Sequence, residues 1–281
     1  MERLSKIRVA ILDLYAGAEN QGMRCIRDIL RQFGSDHGVT VEWEEFEVRI
    51  RQELPGLDFD LYISSGGPGS PLESAGSDWE SAYFDWLQQV EDFNKNPTHN
   101  RKKFVFFICH SYQLACRHYK VGEVAPRKST AFGVFPVHML PGAHREPVFD
   151  HLRDPFYAVD SRDFQVIQPN HGRIREMGAR ILAIEKERPH VPFERAMMAI
   201  RFNDYMIGTQ FHPEADAVGM SMYLQREDKR TTVISNHGEA KWKSMIEQLN
   251  DPDKIRWTYQ QVLPNFIQTA IHGSGITASL Q

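Results

Sequence analysis

The chain has 281 residues, 41% of them hydrophobic and 25% charged, with a formal net charge of −4, a composition typical of a globular protein with its own core. The slightly acidic balance leaves no basic footprint for a nucleic-acid partner, and no stretch approaches the roughly 18 uninterrupted apolar residues of a membrane span. Three cysteines, an odd number without a Cys-x-x-Cys pair, do not make a disulfide framework and fit a reducing cytoplasm.

Residues 1–9 are charged and lead straight into a strand pattern, without the basic and then long apolar run of a secretory signal. Residues 8–14 (RVAILDL) read as a buried strand, and 19–33 as a helix with Met23, Ile26, Ile29 and Leu30 on one face. Residues 41–48 (VEWEEFEV) read as an edge strand, and 61–65 (LYISS) as a buried strand running into Gly66-Gly67-Pro68-Gly69. A helix is predicted over 78–93, anchored by Trp79, Phe84, Trp86, Leu87 and Val90. Arg101-Lys102-Lys103 reads as the solvated end of an element. A third buried strand follows at 103–108 (KFVFFI), then a helix over 110–119.

Alternation of this kind predicts a parallel sheet covered on both faces, with working residues where strands end and helices begin. The middle of the chain changes character. Residues 130–140, 156–168, 180–184, 196–201 and 205–211 are strand-like and closely spaced, so some are expected to run antiparallel and extend the sheet. The residues after Glu214 read as helices, with Asp251-Pro252 as a cap and first turn. The final helix should bury Ile255, Tyr259, Val262, Phe266 and Ile267, with Pro264 kinking or shortening it. Residues 273–281 look frayed. No linker stands out, which predicts one domain over 1–281, with a core at 8–215 and a helical extension at 216–281.

Three segments carry chemistry. In 104–119 (FVFFICHSYQLACRHY) a buried strand ends on Cys109 and a helix opens at once. Unpaired N–H groups and the helix dipole there favour a thiolate, although a lone cysteine in a strand also reads as a small buried apolar residue. In 207–214 (IGTQFHPE) His212 is placed to accept the thiol proton, and Glu214 to orient the imidazole across a proline that fixes φ. Taken alone, His-Pro-Glu also reads as a capped turn. In 64–71 (SSGGPGSP) the Gly-Lys-Ser/Thr ending of a phosphate loop is missing. Its glycines would let backbone N–H groups approach a developing oxyanion, or simply form a turn. The twelve histidines show no zinc-type spacing, so neither a metal nor a cofactor is expected.

Together and in this order, the three segments resemble the class I, triad-type glutamine amidotransferases, over roughly residues 8–215. With the strand–helix order, the resemblance implies a three-layer, flavodoxin-like α/β sandwich around a central, mostly parallel but mixed sheet. It makes Cys109 the nucleophile, His212 the general base and then acid, and Glu214 the orienting carboxylate. The oxyanion donors would be the N–H groups of Gly67 and His110, and Gly66 would contact the substrate. Gln113 would hold the substrate, and Asn170-His171-Gly172-Arg173 aligns with a Ser-His-Gly-Asp segment lining the glutamine pocket. The implied reaction is hydrolysis of the γ-amide of glutamine, or of a related γ-glutamyl compound, through a thioester. A separate synthase subunit would use the ammonia, or the chain is a simple hydrolase.

Several residues depart from the family pattern in or beside the expected pocket. Ser111 and Phe107 replace elbow glycines, Tyr112 stands where a histidine is usual, and Arg173 replaces an aspartate suited to an α-ammonium. Arg173 either points to solvent or meets an anion. These changes keep two alternatives open, a cysteine γ-glutamyl hydrolase of different substrate and a non-catalytic small-molecule-binding or regulatory homologue. Cys25 and Cys116 read as core residues, and the His110 and His118 side chains as surface or capping groups. Met220, Met222 and Tyr223 read as a helix packing face, and Trp242 and Trp257 as pins for the C-terminal helices.

Overall fold

The computed structural model describes residues 6–189, 194–249, 251 and 254–273. In chain order the elements are β1 (Lys6–Asp13), α1 (Gly22–His37), β2 (Thr40–Glu47), β3 (Leu61–Ser64), α2 (Asp78–Lys95), β4 (Phe104–Ile108) and α3 (His110–Tyr119). Then follow β5 (Glu123–Met139), β6 (Phe156–Ile167), α4 (His171–Met177), β7 (Arg180–Glu185), β8 (Met197–Asn203) and β9 (Met206–Thr209). Helices α5 (Ala217–Gln225), α6 (Glu227–His237), α7 (Glu239–Leu249) and α8 (Ile255–Gly273) complete the described chain.

The strands form a sheet in the order β2-β1-β3-β4-β9-β8-β7-β5-β6. β2 through β9 in that order run parallel, and β8, β7, β5 and β6 continue antiparallel, as the change of pattern after residue 130 predicts. Strand side chains alternate between faces. Ile7, Val9, Ile11, Leu61, Ile63, Phe104 and Phe106 pack with α1 and α8, whereas Ala10, Leu12, Tyr62, Val105 and Phe107 pack with α2 and α3. Burial on both faces explains why these strands read as unbroken apolar runs.

The C-terminal helix is one layer of this sandwich, for α8 buries Val262, Leu263, Phe266 and Ile267 in the same cluster as β1, β3 and β4. Phe266 meets Phe106 edge-on at 5.1 Å. Pro264, expected to kink or shorten the helix, lies inside it, and α8 runs on to Gly273. Its flanking Leu263 and Phe266 are fully buried, and burying such a pair contributes about 3–6 kcal/mol, against about 3 kcal/mol for an interior proline. Pro252 of the expected cap lies outside the described residues, as do 274–281 of the expected frayed end and 1–5 of the N-terminal segment. Lys103 also departs from its reading as solvated. Its ammonium donates to the Phe59 carbonyl at 2.7 Å, and burial lowers its pKa.

Two further features position the site. β5 begins at Glu123, before the expected start at 130, because residues 123–126 already pair with β6, and the register then shifts between the Pro126–Phe164 and Ala131–Arg162 pairs. β6 also bridges to the segment after β9, where the Val159 carbonyl accepts the His212 N–H at 2.9 Å. Helices α5, α6 and α7 close a smaller cluster against that ribbon through Leu224, Val233, Met245 and Leu249. Trp242 pins this group, its indole N–H donating to the Leu224 carbonyl at 3.0 Å, whereas Trp257 remains 38% exposed. No helix among the described residues is long and apolar enough to cross a membrane.

Candidate active site

β4 delivers Cys109 to a corner. Its φ of 46° and ψ of −95° put a non-glycine residue in a sparsely populated region, which persists only where its surroundings over-determine it. They do so here. The Cys109 N–H donates to the Thr209 carbonyl at 2.8 Å, and its carbonyl accepts the Gln113 N–H at 3.0 Å. Ser111 completes the corner, for its hydroxyl accepts the Ile108 N–H at 2.8 Å and donates to the Ser64 carbonyl at 2.8 Å. The oxygen that a glycine would lack is therefore fully used, tying α3 to the ends of β3 and β4. Sγ of Cys109 lies 3.7 Å from both the Ser161 carbonyl and Gln210 Nε2. The Gln210 Oε1 in turn accepts from Gln113 Nε2 at 3.1 Å.

The adjacent strand β9 delivers the imidazole. After Thr209 the backbone is held by the Gln210 N–H to the Met198 carbonyl at 2.8 Å and by the His212–Val159 bond. His212 Nδ1 stands 2.8 Å from Glu214 Oε1, which assigns the Nδ1 proton to that bond and leaves Nε2 for Cys109. Burial alone would lower the pKa of His212. The charges and hydrogen bonds of Glu214 and Cys109 outweigh that and raise it well above the ordinary histidine value. Gly66 is the reason the ring fits, since a Cβ there would stand 2.9 Å from His212 Cε1 and 3.6 Å from Cys109 Cβ. A Cβ on Gly67 would meet the Leu14 carbonyl at 2.3 Å.

Cys109, His110, Gln113, Gly67 and His212 share one cavity of about 660 Å³. Opposite them stands β6 with Ser161, Arg162, Asp163 and Phe164, and beyond it Phe132, Met220, Tyr223 and Val233. Arg162 is buried in an ionic network, donating from Nε to both Asp160 oxygens at 2.8 and 3.0 Å and pairing with Glu185 at 3.3 Å. Burial disfavours its charge, but Asp160 and Glu185 more than compensate and raise its pKa. No cluster of three or more potential metal-ligating His, Cys, Asp or Glu groups occurs among the described residues.

Residues 17–227 match the profile of the family described as glutamine amidotransferase class-I. The chain belongs to that family. No functionally curated sequence matches it. Among solved structures, a glutamine amidotransferase from Thermotoga maritima superposes with a TM-score of 0.64 at 15% identity, covering 94% of this chain and 98% of that one. A protein designated SMU.1228c gives 0.61 at 17% identity, with 94% and 99% covered. The glutaminase domain of Trypanosoma brucei CTPS, with bound acivicin, gives 0.56 at 12% identity, with 98% of each covered. At these identities the likeness is one of fold.

Within this class-I glutamine amidotransferase, several residues stand elsewhere than expected. Asn170, His171, Gly172 and Arg173 do not line the cavity. They open α4, where the Asn170 side chain caps the Arg173 N–H at 3.1 Å. Arg173 donates to the Tyr119 carbonyl at 3.1 Å and pairs with Glu176 at 2.9 Å. Tyr119 ends α3 and Cys109 precedes its start, so the length of that helix, about 15 Å, separates them. The segment facing Cys109 is Ser161–Phe164. Its sequence signal is the run Asp160, Arg162 and Asp163, charged residues between the apolar ends of a strand.

Phe107, Ser111 and Tyr112 are likewise absent from the lining, since all three are buried in the structure beneath the elbow. Tyr112 donates to the Met197 carbonyl at 3.0 Å and fills the space beside Gly208. His110, read as a surface or capping group, is buried, and its Nε2 has no hydrogen-bond partner among the described residues. Burial, with Arg49 and Arg117 nearby, pushes it down to about 3. His118 is half-buried and stacks on Phe84 at 4.4 Å. Met220 and Tyr223, read as packing residues only, also form cavity wall, while Met222 is exposed. Cys25 is buried as expected but also touches the cavity. Burial pushes its thiol up to about 12, and also raises Cys116.

Proposed function

We propose that this glutamine amidotransferase hydrolyses the γ-amide of glutamine, or of a related γ-glutamyl compound, through a thioester on Cys109. The observation that carries the reading is the His212–Glu214 pair at 2.8 Å, facing the same cavity as a cysteine held in a positive-φ strand-to-helix corner. An imidazole whose Nδ1 proton is bound by a carboxylate has the tautomer and orientation of a general base at Nε2. The thiolate adds to the γ-carbonyl carbon, and the N–H groups of Gly67 and His110 receive the negative oxygen. The C–N bond then breaks as His212 passes its proton to the departing nitrogen. Water adds to the thioester, gives a proton to His212, and releases glutamate and the thiolate.

Gln113 and Asp163 supply polar contacts for the glutamyl amino-acid head. Asp163 lines the cavity and carries the negative charge suited to an α-ammonium. The ammonia either leaves to solvent or feeds a separate synthase subunit. The test is ammonia release from glutamine, with acivicin labelling of the thiol as the parallel readout. Cys109→Ala should lower release at least about 10³-fold and abolish labelling. Equal release by the two proteins removes the catalytic reading and leaves a binding homologue.

A further inference from the structure

We infer that the nitrogen side of the substrate is bulky and apolar, so that γ-glutamyl amides of aromatic or large aliphatic amines are cleaved in preference to free glutamine. The inference rests on the thioester reading above and specifies its substrate.

The argument starts from β6, whose odd-numbered residues share one face. Asp163, Ser161 and Val159 all line the cavity, and at about 3.3 Å per residue the run from Asp163 to Val159 spans about 13 Å. The Ser161 carbonyl, at the middle of this run, lies 3.7 Å from Cys109 Sγ, which puts the scissile carbon near the centre. At the Asp163 end stand polar groups, for Gln113 Nε2 reaches the next carbonyl, that of Phe164, at 3.3 Å. At the Val159 end stands His212, whose backbone is bridged to Val159.

A leaving nitrogen has to lie beside His212, because that imidazole supplies its proton. The substituent on that nitrogen therefore projects toward the Val159 end. Apolar side chains stand there, between the charged Asp216 and Arg226 at the two ends of α5. Ala215 follows Glu214, Met220 and Tyr223 come from α5 and Val233 from α6, while Phe132, paired with Ser161 across the ribbon, stands at the middle of the run with its ring 5.5 Å from that of Tyr223. Ammonia needs no such wall. A volume of about 660 Å³ also lies within the roughly 300–1,000 Å³ of clefts that enclose drug-sized ligands, well beyond what one amino acid occupies. The step itself is unchanged. The γ-C–N bond breaks, the amine departs with the His212 proton, and water completes hydrolysis to glutamate.

The test compares kcat/KM of the full chain on L-glutamine, γ-glutamyl benzylamide and γ-glutamyl ethanolamide. Benzylamine and ammonia have similar basicity, so a preference between them reads binding of the ring and not leaving-group chemistry. The benzylamide should exceed both other substrates at least about tenfold. Met220→Gln and Val233→Thr, on separate helices, should each shrink the benzylamide-to-glutamine ratio at least about threefold. Glutamine turnover without a benzylamide preference overturns this inference and leaves the thioester reading standing. An unchanged ratio in both folded variants overturns it as well. Failure of all three substrates removes both readings together.

Discussion

The two walls of the cavity are built in different ways. The wall carrying Cys109 and His212 comes from the ends of adjacent parallel strands, and backbone bonds from Cys109 to Thr209 and from Gln210 to Met198 lock it at 2.8 Å each. The facing wall comes from the hydrogen-bonded β5–β6 ribbon and from helices α5 and α6, and the helices are held by side-chain packing of Leu224, Val233 and Met245. A hydrogen-bonded strand end fixes a side chain within a fraction of an ångström, as the proposed nucleophile–base pair would require. A wall of apolar side chains needs only shape and tolerates substitution more readily. On the proposed function, precision falls on the wall where a proton would move, and selectivity on the wall where it would not.

The largest expected effect breaks the first wall without touching a reacting group. Gly66→Ala adds a Cβ that would lie 2.9 Å from His212 Cε1, and the imidazole has to shift to make room. Displacing a catalytic group by about 1 Å costs on the order of 10²-fold in rate. Turnover of glutamine should fall by about that factor, while thermal unfolding shows a protein that is still folded. Retention of full activity would mean that the position of the ring is not critical.

A second experiment sharpens the contrast through pH. His110 sits in the rigid wall and is pushed down to about 3, whereas an unfolded histidine titrates near 6.5. Between those values the unfolded chain binds a proton that the folded chain refuses, so stability rises with pH across the window and is lost as pH falls. At pH 5 the loss relative to neutral pH amounts to about 2 kcal/mol. Urea unfolding at pH 7 and pH 5 should show His110→Asn losing about that much less than the wild type on acidification. Equal losses would mean that His110 accepts its proton in the folded state.

The same division explains what could be read in advance. Strand residues such as Val9, Ile63 and Phe106, buried on both faces, produce apolar runs that specify parallel strands, and the glycines, Cys109 and His212 lie at the ends of those runs. Local order in the chain is nearly order in space there. The facing wall has no such signature. Ser161 and Asp163 face Cys109 through the pairing of β6 with β5, whose register shifts between Pro126 and Ala131, and that pairing joins two distant segments. Met220 and Tyr223 read as a packing face because they also do pack, and periodicity alone does not distinguish a core from a cavity wall. The His171-Gly172 pair is locally like the family's pocket segment, yet it opens the separate short helix α4.

The smallest expected effect concerns that displaced segment. Arg173 bonds the Tyr119 carbonyl and pairs with Glu176, a pair with both partners partly exposed. Exposed pairs of this kind contribute about 0–1 kcal/mol. Arg173→Asp also brings a carboxylate into the first turn of α4, a favourable placement worth about 0.3–1 kcal/mol. The two changes nearly offset, so stability should move by less than about 1 kcal/mol. Because the whole of α3 stands between this side chain and Cys109, kcat/KM on glutamine should stay within about twofold. A large gain on glutamine would place Arg173 against the substrate, and the cavity facing Ser161–Phe164 would then no longer account for where the glutamyl head binds.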